Sequence, residues 1–163
     1  MRKFLIIILS LITLSANAQI KDTILNSTLG RSSQQNVLKT IQANEYAFTE
    51  TSETIACSDV EFAGYGWEKV VFYFYKQVLY KVVFESPYVI SEKEIKSWNR
   101  PTKRSDIMKA IREAAKSKYH KYEKGFWSFQ DGVTKLDFGL TSRMTYENIR
   151  LAAKVSKESL DDI

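Results

Sequence analysis

The sequence is poor in the residues that most often carry chemistry. It contains one cysteine, Cys57, and one histidine, His120. A lone cysteine cannot form an intramolecular disulfide. With one cysteine and one histidine, a structural zinc site would have to rely on carboxylates, against the usual preference of zinc for cysteine and histidine. The sequence also has no Walker loop, no Gly-x-Gly-x-x-Gly motif and no Gly-x-Ser-x-Gly motif. It therefore predicts no metal site, no cofactor and no recognisable catalytic residue.

Long apolar runs are also scarce, and the one that exists lies at the N terminus. Arg2 and Lys3 precede the apolar residues 4–14, and Ala16-Asn17-Ala18 follows as a small-x-small cleavage site. This order is typical of a secretory signal peptide, and the run is shorter than the roughly 20 residues of a membrane-spanning helix. We therefore predict that residues 1–18 are removed. The product would be exported to the periplasm or outside the cell, with no lipid anchor because no cysteine lies at the cleavage point.

Prolines and glycines are few, with two and six respectively, and no low-complexity tract is present. Nothing in residues 19–163 indicates a linker, so we expect a single domain. A capping box beginning at Ser32 predicts a helix that ends near Asn44, and a second one at Ser91 predicts a short helix. An apolar stripe predicts a longer helix over residues 104–123.

The strand signals are strongest in the middle of the chain. Residues 67–75 and 78–84 are rich in valine and aromatic residues, and the intervening Lys76-Gln77 predicts a β-hairpin. Because neither turn residue favours positive φ, a turn longer than two residues is an alternative prediction. Asp131-Gly132 predicts a second hairpin, and residues 147–155 are predicted as a last strand. The expected fold class is α+β, an antiparallel β-sheet with two or three helices packed on one face.

The aromatic hairpin is the best candidate for a binding surface. Phe72 and Phe74 alternate with Tyr73 and Tyr75, so the two pairs should lie on opposite faces. One face should pack against helices, and the other is either covered as well or exposes tyrosines for recognition. Tyrosine is enriched at binding surfaces because it combines apolar area with a polar tip. The predicted contact residues are Trp67, Tyr73, Tyr75 and Tyr80.

Positive charge is concentrated in one segment. Residues 101–124 contain eight lysines and arginines against three acids. A charged helix face is usually simply solvated, but a basic one also suits an anionic surface. Lys109, Arg112 and Lys116 are the candidate basic face. Export argues against nucleic acid as a partner.

Several segments together resemble small exported α+β proteins common in Bacteroidetes-type bacteria. They are Thr28-Leu29-Gly30, Phe62-Ala63-Gly64-Tyr65, the hairpin of residues 67–84, and Trp127 with residues 131–136. More distantly, the order of helix and hairpin is similar to BamE/SmpA-type assembly lipoproteins and to β-lactamase-inhibitor-like domains. Those families are binding modules, so the resemblance implies binding without catalysis, and no catalytic residue carries over. The chain departs from the lipoproteins in lacking their lipid-modified cysteine.

Two functional hypotheses follow from the sequence. The first is a secreted, non-enzymatic binding module that contacts another envelope protein or a surface ligand through the aromatic hairpin. The alternative is an envelope hydrolase that uses Cys57 or an unrecognised pair of carboxylates. Against the cysteine version, Cys57 lies in a strand-like context, where we expect a buried thiol, and His120 lies in a lysine-rich helix, where we expect it exposed.

The signal-peptide prediction is checked by mass spectrometry of the exported protein. We expect the N terminus at Gln19, because cleavage should follow Ala18. Recovery of a protein that retains the apolar residues 4–14 would contradict the prediction.

Overall fold

The computed structural model describes residues 19–90, 103–140 and 142–161. The predicted signal peptide and the short helix predicted after Ser91 lie outside the described residues. The strands are β1 (Thr23–Ile24), β2 (Ser27–Thr28), β3 (Phe48–Glu50), β4 (Thr54–Phe62), β5 (Tyr65–Tyr75), β6 (Val78–Tyr88), β7 (Glu123–Gly125), β8 (Ser128–Gln130), β9 (Thr134–Phe138) and β10 (Arg143–Asn148). The helices are α1 (Gln34–Ala43), α2 (Arg104–Tyr119), a 3₁₀ turn (His120–Tyr122) and α3 (Ile149–Asp161).

Eight of these strands form one antiparallel sheet in the order β3-β4-β5-β6-β10-β9-β8-β7, while β1 and β2 form a separate two-stranded sheet. The predicted α+β class is confirmed. The helices predicted to end near Asn44 and to cover residues 104–123 are confirmed as α1 and as α2 with its 3₁₀ turn. The N-cap of α1 is Ser33, one residue after the predicted Ser32.

Both predicted hairpins form, and each turn has a clear physical basis. Tyr75 pairs with Val78, so Lys76 and Gln77 make a two-residue turn with φ of 48° and 67°. This is the pattern of the tight turn whose twist matches the flanking strands, so the longer turn left open above is not used. In the second hairpin, Gly132 takes φ of 92°, and the Asp131 carboxylate accepts the backbone N–H groups of residues 133 and 134.

The core lies between one sheet face and the helices α1 and α2. Alternate residues of β4, β5 and β6 face inward, with Phe72 and Val82 among the buried ones. An aromatic group packs at its centre. Phe84 stacks on Phe62 at 4.6 Å between ring centroids and meets Trp67 edge-on at 5.2 Å. Burial of these rings is the main driving force for placing the helices on this face.

The last predicted strand is wrong. Residues 147–155 do not continue as a strand, because β10 ends at Asn148 and α3 begins at Ile149. The apolar spacing of residues 149, 151, 153 and 155 suits a strand, but Leu151, Ala152 and Val155, three and four positions apart, share one face of a helix. The Asn148 side chain decides the outcome, since its Oδ1 accepts the backbone N–H of Leu151 at 3.1 Å and caps the helix.

Replacement of Phe84 by alanine tests the aromatic centre of the core. Phe84 is fully buried, so we expect Phe84→Ala to lower the free energy of unfolding by ~3–5 kcal/mol. Phe126→Ala is the matched control, because Phe126 is 81% exposed and its loss should change stability by less than about 0.5 kcal/mol. Urea unfolding measures both variants, and equal effects would refute this placement of the core.

Candidate functional site

The sheet face opposite α1 and α2, here called the outer face, carries a cross-strand cleft. The pairing register places Lys81 beside Glu147 and Glu147 beside Lys135, while Thr145 lies between Val83 and Asp137. The cleft has a volume of about 270 Å³. It is lined by Tyr73, Lys81, Val83, Lys135, Asp137, Arg143, Thr145 and Glu147. Four adjacent strands, β5, β6, β10 and β9, therefore contribute to one concave surface.

The cleft walls carry both signs of charge. Three cations and two acids line the cleft, namely Lys81, Lys135, Arg143, Asp137 and Glu147. Beside the cleft, Glu85 accepts a hydrogen bond from Arg143 at 2.5 Å and lies 3.9 Å from the Lys69 ammonium. On β9, Lys135 lies 3.9 Å from Asp137. Such surface ion pairs contribute little to stability, about 0–1 kcal/mol each. They place opposite charges side by side in the cleft and next to it.

Aromatic rings form one end of the cleft. The Lys81 ammonium lies 4.4 Å from the centre of the Tyr73 ring and 5.3 Å from that of Tyr80. The two rings meet edge-on at 6.5 Å. Burial raises the pKa of Tyr80, and the negative charge of Glu147 acts in the same direction. Tyr80 therefore stays a neutral phenol that packs against Tyr73 and Lys81.

The four predicted contact residues have different positions. Trp67 is fully buried in the core and donates its indole N–H to the carbonyl of Phe62 at 3.1 Å, so its assignment as a surface contact is wrong. Tyr80 is also buried and can act only as a support. Tyr75 is half-buried, and its hydroxyl donates to Glu158 of α3. Tyr73 alone of the four lines the cleft.

Two residues of the candidate basic face lie over an aromatic ring. Arg112 and Lys116 both lie 5.8 Å from the centre of the Trp127 ring, and Arg112 also donates to the carbonyl of Gly139 at 2.5 Å. Lys109 is exposed on the same helix. Two of the three predicted residues are therefore held in contact with the turn that contains Trp127.

The thiol and the imidazole are in unlike environments. Cys57 is buried in β4, and burial raises its pKa to about 11. His120 is exposed, and its Nδ1 lies 3.4 Å from the carbonyl oxygen of Ser117. A nucleophilic cysteine needs a lowered pKa and access to substrate. Cys57 has the opposite of both.

Within the described ranges, no group of three or more histidine, cysteine, aspartate or glutamate side chains is arranged to hold a metal ion. Among the described helices, none is long and apolar enough to cross a membrane.

Comparison with known proteins does not assign a family, since no protein-family model, curated protein or solved structure matches this chain. The resemblance to small exported proteins stays a prediction.

The sequence did not predict most of the cleft residues, and these lie on β9 and β10. The signal was nonetheless present in residues 143–148, where Met144 and Tyr146 face the core while Arg143, Thr145 and Glu147 face outward. Alternation of this kind indicates a strand with one solvated face.

Thiol labelling tests the state of Cys57. In the folded protein we expect reaction with a disulfide reagent to be slow at neutral pH, because the thiol is buried and little of it is ionised. Because the pKa is raised, the reaction should accelerate as pH increases toward 11. Denatured protein is the positive control and Cys57→Ala the blank. Rapid labelling of the folded protein at neutral pH would contradict this assignment.

Proposed function

We propose that this protein is an exported, non-enzymatic binding module and that the cross-strand cleft is its contact surface. The observation that carries the proposal is the combination, in one cleft, of the Tyr73 ring with charged side chains of both signs, namely Lys81, Lys135, Asp137, Arg143 and Glu147. The export step rests on the sequence of residues 1–18. The proposed partner is another envelope protein.

The composition of the cleft supports a protein partner. Charged side chains of both signs, held in fixed positions, discriminate between partners by charge complementarity more than they add affinity. Tyr73 supplies a rigid aromatic contact at low entropic cost. A volume of about 270 Å³ accommodates a few side chains of a partner's loop or strand. Glu147 between two lysines favours a partner segment that itself presents charges of alternating sign.

Against the cysteine version of the hydrolase alternative, a buried thiol of raised pKa is a poor nucleophile. A carboxylate version stays a prediction, and Asp137 and Glu147 are the two acids that line the cleft.

Crosslinking in the native envelope tests the proposed contact surface. Thr145 lies half-buried in the cleft, so Thr145→Arg should fill the cleft with a long cationic side chain. We expect this variant, and separately Tyr73→Ala, to lower the yield of a recurrent crosslinked partner at least about tenfold. Mass spectrometry identifies and quantifies the partner.

Tyr65→Ala is the matched control, since Tyr65 is also half-buried but begins the same hairpin at the opposite end of β5. It should leave the yield unchanged. If all three variants gave the same yield of crosslinked partner, the contact surface would lie elsewhere on the molecule.

A further inference from the structure

Two apolar side chains project from neighbouring turns at one end of the sheet. Phe126, in the turn between β7 and β8, is 81% exposed, and Leu140, in the turn between β9 and β10, is 97% exposed. They are the two most exposed large apolar side chains among the described residues. Single exposed apolar residues are ordinary on a protein surface, but two at adjacent turn tips form a distinct feature.

The two turns are fixed to one another by the backbone. The amide of Phe138 donates to the carbonyl of Trp127 at 3.1 Å, directly beside Phe126. Arg112 of α2 donates to the carbonyl of Gly139, the residue before Leu140. The tips are therefore held on ordered strands and on a helix.

Basic side chains flank these tips. Arg112 and Lys116 contact Trp127, and Lys109 lies on the same side of α2, because residues three and seven positions apart share a helix face. Lys124 is exposed in β7, immediately before the first turn. The exposed acids of these two elements near the tips are Glu113 and Glu123.

We propose that this end of the molecule docks on an anionic lipid surface. We call it the apolar-basic end and define it as Phe126, Trp127 and Leu140 with Lys109, Arg112 and Lys116. Aromatic side chains favour the interfacial layer of a bilayer, and lysine and arginine are attracted to anionic headgroups. Phe126 and Leu140 would enter the interface while the basic side chains meet the headgroups.

The shape of this end favours lipid over a protein partner. Affinity between proteins usually depends on apolar side chains packed in a desolvated, close-fitting patch. Here the two apolar side chains stand out from separate turns with little intramolecular contact, and cations flank them. A bilayer interface accepts such protruding side chains without a matching pocket, and the surrounding charges complement an anionic leaflet.

Vesicle co-sedimentation of the exported protein tests the inference. The probe is phosphatidylcholine vesicles with and without phosphatidylglycerol, at low and at near-physiological ionic strength. We expect binding only to the anionic vesicles and weaker binding at the higher ionic strength. Phe126→Ala/Leu140→Ala should lower the partition coefficient at least about tenfold, and Lys109→Gln/Lys116→Gln should lower it and reduce its salt dependence.

Two control variants match these changes elsewhere on the surface. Leu160→Ala removes another exposed leucine, and Lys39→Gln removes an exposed lysine of α1. Neither should change binding, and unchanged thermal melting shows that all variants are folded.

Binding that does not depend on ionic strength, or that the tip variants do not weaken, would overturn the inference. Loss of an envelope-protein crosslink in the tip variants, with vesicle binding unchanged, would overturn it in favour of a protein contact. Neither result depends on the cleft, which the tip variants leave intact.

Discussion

The register of the β5–β6 hairpin determines what each face of the sheet presents. Because side chains alternate along a strand, a slip of one residue would exchange the buried and outward sets. The two-residue turn at Lys76-Gln77 prevents the slip by fixing the pair Tyr75 and Val78. Phe72 and Phe74 therefore enter the core. Tyr73 is left on the outer face, where β10 and β9 complete the cleft.

One irregularity in this hairpin shapes the cleft. Tyr73 pairs with Lys81, but Phe74 pairs with Leu79, so Tyr80 is an extra residue on β6. Such a bulge re-aims side chains locally. It lets Tyr80 and Lys81 both approach the Tyr73 ring. A strictly regular hairpin would pair Tyr80 with Tyr73 and Lys81 with Phe72, and Lys81 would then turn toward the core face, away from the Tyr73 ring.

Local patterns in the sequence were sufficient for the parts of the fold that depend on neighbouring residues. The capped helix α1 and the Asp131-Gly132 turn are of this kind, since their hydrogen bonds join residues three or fewer positions apart. The assignment of Trp67 was wrong for a physical reason. Counting by twos from Tyr73 places Trp67 on the outer face, but Glu68 and Lys69 are both exposed, so the alternation breaks between Trp67 and Val70.

Local sequence patterns do not predict the cleft, because residues that are far apart in the chain come together in its walls. Arg143 and Glu85, for example, are 58 positions apart. Sequence periodicity identifies which residues of a strand face the same way, but it does not say which strand lies beside it. The placement of β10 between β6 and β9 brings the charged side chains of three strands together, and nothing within any one strand specifies that order.

The two proposed surfaces are linked through the turn between β9 and β10. Gly139 accepts a hydrogen bond from Arg112 of the apolar-basic end, and its own amide donates to the carbonyl of Arg143, which lines the cleft. The strands run from that end of the sheet along the cleft. If the molecule docks through its turn tips, the strands point toward the membrane. The outer face, which runs along the strands, then stands upright on the bilayer surface and does not face it. In that orientation lipid headgroups would not cover the cleft, and a neighbouring envelope protein could reach it.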